Sequence, residues 1–256
     1  MSEDKTTVMD KTDAGRSGWS YIRPRTAFLS RDLVLEMAVR LSFEVRGNII
    51  EFGVYNGGST RVIRRVASEC EKRYPATARK TIFACDSFEG LREKFENAEV
   101  GTFKIEPPVI AGVEIVKGYF EDSLTDALRT RVGRVAFASL DADLFSSTIC
   151  ALNWLTPLVG TGTLLLFDEF LGEKESEKRA FEQWSAENAI QTVTIAEFGR
   201  EPSGWGDRLD RRTLVQVVGR DEIVRQKRVP VLRERIGRVL DRHPSLGRAI
   251  KRVLGK

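Results

Sequence analysis

The sequence predicts an α/β fold, a seven-stranded, mostly parallel sheet with an antiparallel last strand. Three observations predict it. Short apolar runs such as TIFAC, VAFASL and TLLLF alternate with longer amphipathic stretches, the pattern of strands joined by helices. Acidic residues close several of those runs, at the strand ends where ligands bind in such sheets. The stretch NIIEFGVYNGGST, residues 48–60, carries an apolar run into a glycine turn and then a helix.

That stretch organises the rest. Ile49 and Ile50 read as a buried parallel strand. Glu51, Gly53, Gly57 and Gly58 follow in the order acid, Gly, three residues, Gly-Gly, and Ser59 and Thr60 lead into a helix. Val62, Ile63, Val66 and Ala67 give that helix an apolar face. A strand, a glycine turn and a helix place backbone without side-chain bulk beside a ligand at the helix N-terminus. The turn is not the GxGxxG dinucleotide fingerprint, because Val54 and Tyr55 occupy its spacing. The pattern E-x-G-x-x-x-G resembles instead the first motif of class I S-adenosyl-L-methionine (SAM) methyltransferases. There the glycine loop passes under the methionine part of the cofactor. Taken alone, a glycine turn that binds nothing remains open.

The 256 residues have room for one α/β domain with extensions. We expect an N-terminal arm and helix over 1–45, a SAM-binding domain over 46–220 and a basic amphipathic tail over 221–256. The chain has no apolar run of about 18 residues to span a bilayer and a polar N-terminus without a signal core. Cys70, Cys85 and Cys150 fit a reduced, cytoplasmic setting better than a disulfide framework. With no CxxC and a single histidine, His243, neither a zinc site nor a His-based triad is expected. The net charge of +4 is local. Residues 220–256 hold 12 Lys or Arg against 4 Asp or Glu, which leaves the body of the chain acidic, at −4. That balance argues against nucleic-acid binding.

Residues 19–29, WSYIRPRTAFL, read as an arm over the site or against a partner subunit, or as a surface segment packing its aromatics. Residues 31–44 read as an amphipathic helix. TIFAC, residues 81–85, is the second strand and ends in Asp86, the position that holds ribose hydroxyls in Rossmann-like folds; as a strand-end acid taken alone it reads as a turn cap, and the phrase DSFEGL that it opens favours the ribose. Residues 92–111, with Pro107 and Pro108, read as a lid or binding loop. VEIVKGYF is the third strand, with Glu121 and Asp122 as helix-start acids.

VAFASL, the fourth strand, ends in Asp141 and Asp143, which point to the same face if the chain stays extended. TLLLF, the fifth, ends in Asp168 and Glu169. Four carboxylates then converge on one sheet edge, a mutual repulsion that a divalent ion removes; oxygen-only donors suit Mg²⁺ or a similar hard cation. The other reading makes two of them helix caps and leaves the others solvated. Residues 174–187 are a helix whose Phe181 and Trp184 read as core. QTVTIAEF and TLVQVV form a last antiparallel hairpin around Trp205, which would face a sugar or sit in an exposed turn.

The phrases DSFEGL, from Asp86, and LDADLFSST followed by DEF closely resemble the TylF-type macrocin O-methyltransferases, which methylate sugar hydroxyls. The resemblance runs from about residue 45 to residue 220. It implies a Rossmann-like class I methyltransferase that holds SAM through Glu51, Gly53, Tyr55, Gly57, Gly58, Ser59, Asp86, Ser87, Gly118, Phe120 and Asp141. It implies a metal held by Asp141, Asp168 and Glu169, with Asp143 as general base. Two residues depart from the pattern: Glu169 stands where the family usually has Asp, and Phe145 where Tyr is common.

The expectation is a SAM- and Mg²⁺-dependent O-methyltransferase acting on a sugar hydroxyl. The acceptor would be a natural-product glycoside or a saccharide such as a mannoside precursor of a methylated polysaccharide. A homodimer is expected, with anionic-membrane contact through 225–256 as one role for the tail. Two alternatives stand beside this reading. One is a catechol-type enzyme acting on a diol or phenol, ranked second because no basic residue adjoins the four acids in sequence. The other is a non-catalytic SAM-fold scaffold with a membrane-binding tail.

Overall fold

A computed structural model describes residues 31–73, 79–170, 176–199 and 211–220. The expectations for the 19–29 arm, for Trp205 and its turn, and for the basic tail fall outside these residues. The strands are β1 (Asn48–Phe52), β2 (Ile82–Asp86), β3 (Glu114–Lys117), β4 (Val135–Leu140), β5 (Leu164–Phe167), β6 (Ile190–Gly199) and β7 (Arg211–Arg220). The helices are α1 (Arg31–Ser42), α2 (Gly58–Arg73), α3 (Phe120–Ser123), α4 (Asp126–Val132), α5 (Phe145–Leu155) and α6 (Ser176–Glu187).

All seven strands form one sheet in the order β3-β2-β1-β4-β5-β7-β6. The first five pair in parallel, and β7 lies antiparallel between β5 and β6. The strand order reverses between β1 and β4, and the crevice beyond the carboxyl ends at such a reversal is where α/β sheets bind ligands.

Side-chain alternation divides the core between the two sheet faces. Ile49, Ile82, Phe137, Leu164 and Leu214 turn to the face covered by α1 and α2. Their sequence neighbours Ile50, Phe83, Ala138, Leu165 and Val215 turn to the face covered by α4, α5 and α6. Trp184 of α6 is fully buried there, and Phe181 packs against Phe167 with ring centroids 5.2 Å apart. Both residues are core, as their spacing suggested. The strands are buried on both faces, which is why β1, β2, β4 and β5 read as continuous apolar runs rather than as alternation.

Helix ends shift slightly from expectation. α2 begins at Gly58 rather than at Arg61, and α1 stops at Ser42. Cys70, Cys85 and Cys150 are free thiols. Among the described residues, no helix is long and apolar enough to cross a membrane.

Candidate functional site

At the strand-order reversal lies a cleft of about 440 Å³, within the range of small-molecule and cofactor sites. The β1–α2 turn, the ends of β2, β4 and β5, and the loop after β2 form its walls. Of the residues expected to hold SAM, Gly53, Tyr55, Gly58, Ser59, Asp86 and Ser87 line it, as do Phe120 and Asp141. Asp143, Asp168 and Glu169 line it too. The sheet thus brings the glycine turn and all four carboxylates to one space.

Three expected residues do not reach that space. Glu51 is 1% exposed, and its Oε2 accepts a bond from the Thr60 hydroxyl, which ties β1 to the first turn of α2. Its carboxylate works inside the fold, below the cleft. Gly57 faces the loop after β2: a Cβ there would stand 2.7 Å from Ile110 Cδ1. Gly118 packs against Ser123, 3.0 Å from where its own Cβ would be.

Asp86 accounts for the shape of the glycine turn. Its Oδ2 accepts from the backbone amides of Val54 and Tyr55 at 2.7 and 2.8 Å, and its Oδ1 accepts from Phe88 N at 2.8 Å. Each carboxylate oxygen has two lone pairs, so Oδ1 keeps one for a ligand hydroxyl while Oδ2 is filled. The strand-end acid is therefore a brace for the glycine turn first. Gly53 lets that loop close. It has φ +86°, and a Cβ on it would fall 1.8 Å from the Asp141 carbonyl, so only glycine allows β1 and β4 to meet at this edge.

Asp141 and Asp143 are not related by extended-chain alternation, as the sequence suggested. Asp143 lies in the left-handed region at φ +56°, so the chain turns between them and enters α5 at Phe145. Both still line the cleft, but the turn is what brings them there.

Two residues missed in the sequence complete the acidic wall. Glu177, in the first turn of α6, is 1% exposed and accepts through Oε1 from Ala142 N at 3.3 Å and through Oε2 from Glu169 N at 3.0 Å. One side chain so bridges the loops that carry the two acid pairs. Burial first, then the charges of Asp141 and Asp168, pushes its carboxyl well above the usual carboxylate range. The signal was present: Glu177, Ala180, Phe181 and Trp184 fall at i, i+3, i+4 and i+7, which puts Glu177 on the buried stripe of its helix.

The second is Arg212 of β7, whose Nε donates to Asp168 Oδ1, with both residues buried. The expectation that no basic residue stands beside the acids is thereby corrected. Sheet pairing supplies one from 44 residues away.

By residue type Asp141, Asp168 and Glu169 suit a hard divalent cation, since they offer only oxygen, with one oxygen of Asp168 engaged by Arg212. Among the described residues, no three acids, thiols or imidazoles stand grouped as a coordination shell.

Residues 109–197 match the sequence model of the macrocin O-methyltransferase (TylF) family. The macrocin-type segment holds both acid pairs, Glu177, Gly118 and Phe120, whereas the glycine turn, Asp86 and Arg212 lie outside it. The chain is 28% identical over 148 residues to a tetracenomycin-C rhamnosyl 4'-O-methyltransferase of Streptomyces olivaceus, covering 49% of this chain and 54% of that protein. It is 25% identical over 149 residues to the demethyldecarbamoylnovobiocin O-methyltransferase of Streptomyces niveus, covering 50% and 54%. The chain thus matches about half the length of these curated relatives. Among solved structures, the calicheamicin methyltransferase CalS11 superposes with TM-score 0.55 at 18% identity, covering 72% of this chain and 77% of that one. The O-methyltransferase NovP superposes with TM-score 0.54 at 20% identity, covering 73% and 80%. An O-methyltransferase of Bacillus cereus solved with SAH follows at TM-score 0.50 and 17% identity, covering 76% and 84%. The segment that matches the macrocin O-methyltransferase model therefore sits in a fold shared with these solved structures.

Proposed function

We propose that this chain is a SAM-dependent O-methyltransferase that acts on a sugar hydroxyl. The acceptor would be a natural-product glycoside or a saccharide such as a mannoside precursor of a methylated polysaccharide. The observation that carries the reading is the meeting, in one cleft, of an Asp86-braced glycine turn with the carboxylates after β4 and β5. The match to the macrocin O-methyltransferase model, to the rhamnosyl 4'-O-methyltransferase of Streptomyces olivaceus and to the O-methyltransferase of Streptomyces niveus supports it.

Methyl transfer needs a positioned acceptor oxygen and somewhere for its proton to go. The glycine turn and Asp86 hold SAM on the β1–β2 side, and the acceptor hydroxyl sits on the β4–β5 side. Asp143 accepts the hydroxyl proton as the oxygen bonds to the methyl carbon. The carbon–sulfur bond breaks with its electron pair on sulfur, leaving S-adenosylhomocysteine. Asp141, Asp168 and Glu169 would hold a divalent cation, which when bound eases ionisation of the hydroxyl. Glu177 ties together the backbones of the two loops that carry these acids, and Arg212 holds the Asp168 carboxylate.

A diol or phenol acceptor stays as the second reading, favoured by one observation, the guanidinium of Arg212 against Asp168. Calorimetric titration of SAM into metal-stripped protein, then of Mg²⁺ into the SAM complex, tests the proposal. SAM binding with a Mg²⁺ site weakened in both Asp141→Asn and Glu169→Gln supports it. SAM binding without a Mg²⁺ site removes the cation, and failure to bind SAM removes the whole reading.

A further inference from the structure

Of the three acids that would hold a cation, Asp168 has surroundings of its own. It is buried, whereas Asp141 and Glu169 are half-buried. Its backbone still follows the sheet: Asp168 N donates to Leu140 O at 3.0 Å, which carries β5 one residue further along β4. Arg212 is fixed on the other side of the seam, in β7, where it pairs with Phe198 of β6. With both backbones held, the parts free to rearrange are the two side chains, and these are bonded to each other. Arg212 Nε donates to Asp168 Oδ1.

Burial gives that bond its weight. A carboxylate taken out of water needs an opposite charge beside it. A guanidinium supplies one at every ordinary pH, because it does not lose its proton. Asp168 is therefore balanced before any divalent ion arrives. The balance engages one of its oxygens and sets a fixed positive charge close to the other, where a second cation is repelled. Among the described residues, the acids of the wall are not gathered as a coordination shell, and the Asp168–Arg212 bond shows where one of them is directed instead.

We propose that Arg212 is the resident counter-cation of the acidic wall and competes with the divalent ion for Asp168. The wall then has two states. In one, Asp168 belongs to Arg212; in the other it is a ligand of the ion, and Arg212 has given up its bond. Arg212 thereby sets the cation affinity of the site, holding it below what the three carboxylates would give without it. This rests on the O-methyltransferase reading and names the residue that regulates the cation of the same site. The opposite role, a guanidinium that steadies Asp168 while it binds the ion, predicts the opposite sign. Losing an outer partner of that kind weakens metal affinity by about 10- to 100-fold.

The test is calorimetric titration of MgCl₂ into the full chain saturated with SAM, for the parent, Arg212→Gln, Asp168→Asn and the double variant. Arg212→Gln is expected to bind Mg²⁺ about tenfold tighter than the parent, a parent too weak to measure against a measurable variant included. In the Asp168→Asn background the same change should bring no gain, since no carboxylate is left to compete for. Arg212→Gln removes half of a buried pair, so a measurement on the parent accompanies it. The Arg212 Nε–H signal in ¹H–¹⁵N spectra, assigned by its absence in Arg212→Lys, should exchange faster with solvent as Mg²⁺ saturates the site.

Equal or weaker Mg²⁺ binding in Arg212→Gln overturns the competition. So does an equal gain in the Asp168→Asn background, which would make Arg212 a repelling charge and nothing more. An Arg212 Nε–H signal left unchanged by saturating Mg²⁺ overturns it too. Mg²⁺ binding undetectable in parent and Arg212→Gln alike also overturns it, while SAM binding keeps the methyltransferase reading. Failure to bind SAM removes that reading, and the same MgCl₂ titrations on the SAM-free chain still decide the role of Arg212.

Discussion

Arg212 and Asp168 form a buried ion pair across the β5–β7 seam, with side chains 2% and 12% exposed. The register makes this contact. Phe167 is opposite Thr213 in the antiparallel pairing, so the next residues outward, Asp168 and Arg212, meet where the seam opens into the cleft. Breaking such a pair from one side leaves an uncompensated charge and costs about 3–5 kcal/mol. Arg212→Met should lower unfolding stability by about that amount, and Arg212→Lys should recover part of it. Urea unfolding measures both, and an unshifted midpoint in Arg212→Met would show that Asp168 does not depend on the guanidinium.

Glu177 gives the protein a pH dependence with a defined sign. Its folded carboxyl is held above the ordinary value, chiefly by burial. Below the unfolded value both states carry the proton, and the stability it contributes is complete. As pH rises from there toward the folded value, the unfolded chain ionises first and that stability is lost. Glu177→Gln stays neutral, so it should flatten this decline as pH rises above the ordinary carboxylate range. It also places an amide NH₂ against one backbone N–H, a pH-independent loss of about 1 kcal/mol. Denaturant unfolding across that rise in pH reads both effects, and equal slopes in variant and parent would remove Glu177 as the source.

The parts legible in the sequence are those written in local patterns. The strand-turn-helix of residues 48–60, the apolar runs of β2, β4 and β5 and the closing hairpin all appear in the sheet. The acids ending β4 and β5 reach one cleft because parallel neighbours end at the same edge. Arg212 was not legible, since its contact depends on an antiparallel register 44 residues away. The turn at Asp143 was missed because alternation assumes an extended chain, and here the backbone enters the left-handed region before α5. Asp86 was read as a ribose ligand from its strand-end place; the bracing of the loop through three backbone amides, which leaves one acceptor position of Oδ1 open, was not legible.

That bracing makes Asp86 a test of loop order. Asp86→Asn keeps the size of the side chain but replaces one acceptor oxygen with a donor, facing either two loop amides or the Phe88 amide. Charge-assisted bonds of this kind contribute about 1.5–3 kcal/mol. SAM affinity should therefore fall by roughly 10- to 100-fold, with faster amide hydrogen exchange at Val54 and Tyr55. Weaker affinity with unchanged exchange would mean that Asp86 acts on the ligand alone.

Gly53→Ala should fail for a reason independent of any ligand. Its Cβ would fall on the Asp141 carbonyl, and the backbone would have to hold φ +86° with a side chain. Strain and overpacking each cost about 1–3 kcal/mol. A lowered thermal midpoint in the ligand-free protein is expected, and a midpoint equal to that of the parent would show that β1 and β4 are free to separate at this edge.

Asp143 separates chemistry from binding most cleanly, provided the substitution respects its backbone. At φ +56° an alanine would add strain to the loss of the carboxylate, whereas asparagine accepts the left-handed region. Asp143→Asn should therefore keep the fold and the SAM affinity while removing the proton acceptor, lowering kcat by a factor on the order of 10²–10⁴. A base that must be ionised gives kcat a rising acid limb with pH, and that limb should vanish in the variant. Calorimetry with SAM, circular dichroism and a kcat–pH profile on the same preparation distinguish the outcomes. Full kcat in Asp143→Asn would send the proton to another group on the β4–β5 wall, with Asp141 next in line.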